Sequence, residues 1–216
     1  MAIAISQRAA MIRVAPAWLC AAAWMRAIHR WNDSQGLSAN ALLSLEFPVS
    51  LRRGRDSARN GHGLLGNFIS PLVLFSDATR ALVELARELR KQLLQEIRSR
   101  SHWGAPLLTA PGKFLPWPLF RRIAVHPTTS GFTTSHFTWF EQSDVHADIS
   151  QLSMGALRLT GQRIYTPVCL NMGAAVAVLA SPECAQIFLT YRATALSAQA
   201  ADQLIELILA ELECDR

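Results

Sequence analysis

The chain has 216 residues, half of them hydrophobic and only 17% charged. That balance excludes an intrinsically disordered chain, and the length suits one domain with a sizeable core. Eleven glycines and ten prolines follow no period, which excludes collagen-like and low-complexity classes. The net charge is +5, carried by 19 arginines and two lysines. The arginines form no long run and are not interleaved with aromatic residues on one element, so nucleic acid is not an expected partner. Cys20, Cys169, Cys184 and Cys214 form no CxxC pair and no His/Cys ligand spacing. They read as reduced thiols of a cytoplasmic protein, with no metal site and no disulfide framework.

Residues 1–15 are read as a terminal, flexible segment and residues 16–216 as a single unit. Pro16 suits the first turn of a helix, and Ala17, Trp18, Leu19, Ala22, Ala23, Met25, Ile28 and Trp31 make it a buried one. Gly36 is its stop. The basic and apolar residues before Met25 imitate a targeting segment, but Arg26, His29 and Arg30 follow at once. The apolar run is too short to span a bilayer, so no transmembrane segment is expected.

Residues 41–50 (ALLSLEFPVS) read as a short strand with Pro48 near its end, followed by a basic, glycine-bearing loop. A second strand is expected over 64–75, interrupted by Gly66, Asn67 and Pro71. Residues 77–100 give the clearest helix, with Leu82, Leu85, Leu89, Leu93 and Ile97 in one stripe and Ser76 or Asp77 as its cap. Glu84–Glu88 and Arg87–Lys91 are like-charge neighbours on it, and Arg87–Glu84 is an opposite pair. The proline-rich stretch from Pro106 to Pro118 is irregular, with a short helix over 119–125. Strands are expected over 132–140, 155–160, 174–180 and 186–192. Ser197 caps a final helix whose buried stripe is Leu204, Ile205, Ile208 and Leu212. This order predicts an α/β, two-layer sandwich with a mixed sheet.

No phosphate loop, GxSxG elbow or HExxH is present, and the six histidines never pair at a ligand spacing. Three local features carry possible chemistry. Arg52 and Arg53 end the first strand; they suit an acidic donor or carrier group, or simply a solvated loop. Gly66 and Asn67 sit in an apolar strand, where glycine admits a ligand or marks a β-bulge. Ser135, His136 and Trp139 lie on a polar–aromatic strand. Ser135 and His136 are adjacent, so they point to opposite faces and do not form a nucleophile–base pair. His136 reads as a single hydrogen-bonding group. Asp144, His146 and Asp148 read as a solvated turn.

Four stretches carry a family likeness. Residues 21–31 (AAAWMRAIHRW) resemble a helix ending in "ALxRW", and residues 45–52 (LEFPVSLR) a "VPVNLR" strand. Leu65-Gly66-Asn67-Phe68 resembles a "GN" strand, and Ser135-His136 stands where "SN" is common. The tail from Ile187 to Glu213 also fits. The chain thus resembles the C-terminal half of the chloramphenicol-acetyltransferase-like superfamily, which includes condensation domains of nonribosomal peptide synthetases and the wax ester/diacylglycerol acyltransferases.

The resemblance implies an acyltransferase whose donor is acyl-CoA or a phosphopantetheine thioester on a carrier protein, with no resident cofactor. In full-length relatives the general base is the histidine of an HHxxxDG motif, and this sequence has none. No catalytic residue is therefore assigned, and the chain is expected to be inactive alone. Gly66, Asn67, Ser135, His136 and Trp139 are candidate tunnel-lining residues; Arg52 and Arg53 are candidate donor or carrier contacts. Expected partners are an N-terminal half polypeptide or a second copy of the chain, and an acyl thioester. The alternative is a non-catalytic, stand-alone domain that binds an acyl thioester, a carrier protein or a partner enzyme. An independent enzyme using His136 has the least support.

Overall fold

Near the amino terminus two helices meet at a sharp bend. In the computed structural model, residues 2–37, 42–50, 69–104, 116, 118, 133–141, 153–154, 157–158, 163–166, 168, 172–181 and 185–213 are described. Helix α1 spans Ala2–Met11 and α2 spans Pro16–Ser34, bent by 101° from each other. Arg13, at φ 55°, turns the chain between them. Ile5 and Ala9 pack α1 into the core.

Pro16 opens α2 as the sequence predicts, after an extended Ala15. Gly36 (φ 65°) ends it in a Schellman motif: its N–H donates to Asp33 O at 3.0 Å, and Leu37 N–H donates to Asn32 O at 3.0 Å. Between these caps the helix is buried almost all round, and Ala21, Ala22, Ala23 and Trp24 are fully enclosed. No single helix among the described residues is long and apolar enough to cross a membrane.

Strand β1 (Leu42–Ser50) pairs antiparallel with β2 (Ile69–Asp77) and parallel with β3 (Thr134–Glu141). β6 (Ala174–Ala180) continues the sheet parallel to β3, and β7 (Ala185–Tyr191) closes it antiparallel. The order is β2-β1-β3-β6-β7. β4 (Ser153–Met154) and β5 (Leu157–Arg158) form a separate two-stranded ladder, where the sequence suggests one longer strand. The strand expected over 64–75 is described only from Ile69 onward, and the helix expected over 119–125 lies outside the described residues.

Helix α3 spans Leu82–Arg98, shorter than the expected 77–100. Its expected cap is not there. Asp77 is held in the last β1–β2 rung, opposite Leu42, too far upstream to reach the first turn. Its carboxylate instead accepts the Thr79 amide at 2.9 Å and the Thr79 hydroxyl at 2.6 Å, an Asx turn. The Thr79 hydroxyl and then its amide hold the Asp77 carboxyl below its usual range. The last helix, α4 (Ala198–Glu213), is capped as expected: Ser197 Oγ accepts the Ala200 amide at 3.2 Å.

All the longer helices contact one face of the sheet or each other, which gives the two-layer mixed sandwich the sequence predicts. That face carries Leu43, Leu45, Leu72, Leu74, Phe137, Val176 and Val178, all buried. Strand alternation sends Ser44, Glu46, Val73, Phe75, His136 and Thr138 to the opposite face, called the open face because no long helix among the described residues packs on it. Val73 and Phe75 are exposed there, while Ser44 and Thr138 are buried. Helix α2 is pinned to α4 by Glu211, whose carboxylate takes Arg26 Nε at 2.6 Å and Arg30 Nη1 at 2.9 Å.

Candidate functional site

The open face is apolar along its β2 edge, where Ile69, Val73 and Phe75 are exposed. Along β6 it carries the small side chains of Ala175 and Ala177, both fully buried, so the exposed part of this face lies toward β2. Between these apolar flanks lies a polar strip on β1 and β3. Ser44 Oγ donates to Thr133 O at 3.1 Å and lies 2.8 Å from Thr134 Oγ1, whose hydroxyl it can accept. One rung further, Glu46 stands opposite His136 in the parallel ladder. Glu46 Oε1 lies 3.4 Å from His136 Nδ1, longer than a formed hydrogen bond but within reach of one. On the far side of the ring, His136 Nε2 is 2.7 Å from Thr138 Oγ1.

The imidazole is therefore held at both nitrogens. Its side chain keeps 12% exposure and that of Glu46 keeps 22%, so both reach solvent from largely enclosed positions. With the ring proton on Nδ1, facing the carboxylate, Nε2 is the lone-pair nitrogen and accepts the Thr138 hydroxyl. That tautomer follows from the partners. A carboxylate, an imidazole and a hydroxyl in this sequence can carry a proton from the hydroxyl to the ring.

Local sequence explains why the strip can exist. Pro48 and Pro71 face each other across β1 and β2, and neither has an amide to donate. The β1–β3 ladder stops at Glu46 and His136, two residues before Pro48. Thr138 consequently has β6 beside it, at Ala177, but no β1 rung.

The sheet separates the residues expected to line one tunnel. His136 faces the open side. Ser135 and Trp139 face the helices: Ser135 is buried opposite Leu45, and Trp139 packs against the core. Arg52, Arg53, Gly66 and Asn67 lie outside the described residues, as do Asp144, His146 and Asp148. Sequence reasoning does not single out Glu46 or Thr138. Their one sequence signal is a charge, and a hydroxyl two residues from a histidine, in strands otherwise rich in apolar side chains. Among the described residues no group of three or more His, Cys, Asp or Glu could hold a metal ion.

A second feature lies on the outer side of α3. Arg87, Lys91, Leu94 and Arg98 form a stripe opposite its buried leucines, with Arg90 alongside. Together with Val14 they line an open cleft of about 490 Å³. Arg87 donates to Ile12 O at 3.0 Å.

No family model and no curated protein matches the chain. Solved structures do. The chain is similar to the condensation domain that mediates chain release from the enacyloxin polyketide synthase (15% identity, TM-score 0.56), covering 97% of this chain and 38% of that one. It is similar to the X-domain from teicoplanin biosynthesis (13% identity, TM-score 0.59), covering 97% of this chain and 43% of that one. It is also similar to the first condensation domain of the calcium-dependent antibiotic synthetase (10% identity, TM-score 0.56), covering 98% and 40%. The chain spans about two fifths of the length of these structures. The five-stranded mixed sheet with its helices on one face is thus a condensation-domain-like fold, half of a chloramphenicol-acetyltransferase-like architecture.

Proposed function

We propose that the chain is the C-terminal portion of a condensation-type acyltransferase and acts on an acyl thioester of coenzyme A or of a carrier-protein phosphopantetheine arm. The carrying observation is the fold match, which takes in nearly all of this chain and about two fifths of each condensation-domain structure. The missing HHxxxDG motif supports the second part of the reading. The base that activates an acceptor amine or hydroxyl comes from the N-terminal half of the fold, and residues 1–216 by themselves make no condensation product. The test is affinity capture of the tagged chain from its native lysate, followed by product analysis. A captured polypeptide carrying HHxxxDG restores product formation from an acyl thioester and an acceptor when mixed with this chain. Condensation product formed by the purified chain alone refutes the reading.

One observation favours the alternative of a non-catalytic binding domain. Arg87, Arg90, Lys91 and Arg98 gather along one open cleft on α3, a surface that suits an acidic partner. Such a partner binds with a steep salt dependence, and Arg90→Glu with Lys91→Glu abolishes binding.

A further inference from the structure

The acyl-thioester reading leaves the open-face trio without a task, and the geometry gives it one. We propose that Glu46, His136 and Thr138 form a nucleophilic site at which Thr138 accepts the acyl group of a thioester and releases it to water. The inference rests on the acyl-thioester reading for its substrate class and on this chain alone for its chemistry.

Three observations carry it. The hydroxyl and the imidazole nitrogen are 2.7 Å apart, the distance a nucleophile and its base require. The opposite ring nitrogen faces a carboxylate 3.4 Å away, which orients the ring and stabilises the imidazolium. The strip lies on the sheet face opposite the long helices, beside the small, buried Ala177 and past the end of the β1 ladder. Thr138 is itself only 9% exposed, so a thioester reaches it past the partly exposed His136 and Glu46. The hydroxyl comes from a residue two positions along the same strand, which puts it on the same face as the ring. Adjacent Ser135 is excluded for the converse reason.

The chemistry balances without a further reagent. His136 Nε2 takes the Thr138 hydroxyl proton as Oγ1 bonds to the thioester carbonyl carbon. The carbon–sulfur bond breaks, and the imidazolium returns that proton to the departing sulfur, releasing a free thiol. Water then attacks the threonyl ester and gives its proton to Nε2. The ester bond breaks, Thr138 leaves as the hydroxyl, and a carboxylic acid is released.

The test uses the full chain and acetyl-CoA, with no acceptor present. Thiol release is followed in solution, and the acyl adduct is located by peptide mass spectrometry after acid quench. Expected is an acetyl group on Thr138, absent in Thr138→Val and retained in Thr138→Ser. His136→Asn lowers thiol release about a hundredfold or more. Glu46→Gln lowers it less and shifts its pH profile. The variants are compared at matched melting cooperativity, and Thr138→Ser keeps the test decisive if another variant fails to fold. Thiol release no faster than in buffer, or an adduct elsewhere that Thr138→Val leaves intact, overturns the proposal. Neither result touches the condensation reading, which fails only on product formed with an acceptor by this chain alone.

Discussion

Replacing Glu211 by glutamine keeps the shape of the side chain and removes the one charge that holds two arginines on α2. The Glu211 side chain is 5% exposed, against 27% for Arg26 and 50% for Arg30. Hydrogen bonds to charged groups contribute about 1.5–3 kcal/mol each. Both arginines recover part of their hydration once released, which discounts the sum. The loss expected for Glu211→Gln is therefore about 2–3 kcal/mol, below the roughly 3–5 kcal/mol of a fully buried pair. Glu88 offers the control. It pairs with Arg80 on the surface, where the side chains are 33% and 46% exposed, and Glu88→Gln costs less than about 1 kcal/mol. Urea denaturation of the wild type and both variants, with the slope held common, measures the difference. Because Arg26 also donates to the Arg80 carbonyl, freeing it loosens the start of α3 as well as the α2–α4 contact. A Glu211→Gln cost within about 0.5 kcal/mol of wild type, or equal to that of Glu88→Gln, refutes the reasoning.

Three other outcomes follow from the packing. Phe137 is fully buried and stacks on Phe47 with ring centroids 6.1 Å apart, so Phe137→Ala costs about 3–5 kcal/mol in the same denaturation assay. Ser197→Ala removes the α4 cap and costs about 1 kcal/mol, while Ser197→Asp retains it. Burial pushes the Cys20 thiol up from 9.0 to about 12. The unfolded chain therefore loses this proton first, and stability falls between those two values with a slope of about 1.4 kcal/mol per pH unit that Cys20→Ala removes. The same thiol resists alkylation at neutral pH until the chain unfolds, which mass spectrometry of iodoacetamide-treated samples reads directly.

Elements with local signals are legible in the sequence. Pro16, Gly36 and Ser197 mark helix ends because capping is decided within four residues of the chain. β6 is legible because an unbroken apolar run bounded by turn residues needs no partner to be recognised. The start of α3 is not, because Asp77 serves the β-ladder and an Asx turn, and neither choice is written in helical periodicity. The two-residue β4–β5 ladder is too short to leave an alternation pattern. At the site, His136 stands out by residue type, but its partners do not. Glu46 reaches it through a parallel rung between strands that are 90 residues apart at Ser44 and Thr134, and such pairings carry no local trace. The separation of Ser135 and Trp139 from His136 does follow from alternation alone. Applied to all three residues, alternation divides the expected tunnel lining between two faces.

The placement of β3 also sets the order in which the molecule can be assembled. This strand occupies the middle of the sheet, yet it is made long after its neighbour β1 and before its other neighbour β6. During synthesis β1, β2 and α3 emerge before β3 and can pair locally, but they leave the inner edge of β1 unsatisfied until Glu141 has cleared the ribosome. Closing the two parallel seams then spends loop entropy across long connections, the slowest kind of strand pairing. Pro48 and Pro71 limit the hazard of that interval, because each deletes an amide through which a nascent β1–β2 ribbon could recruit a stranger's strand.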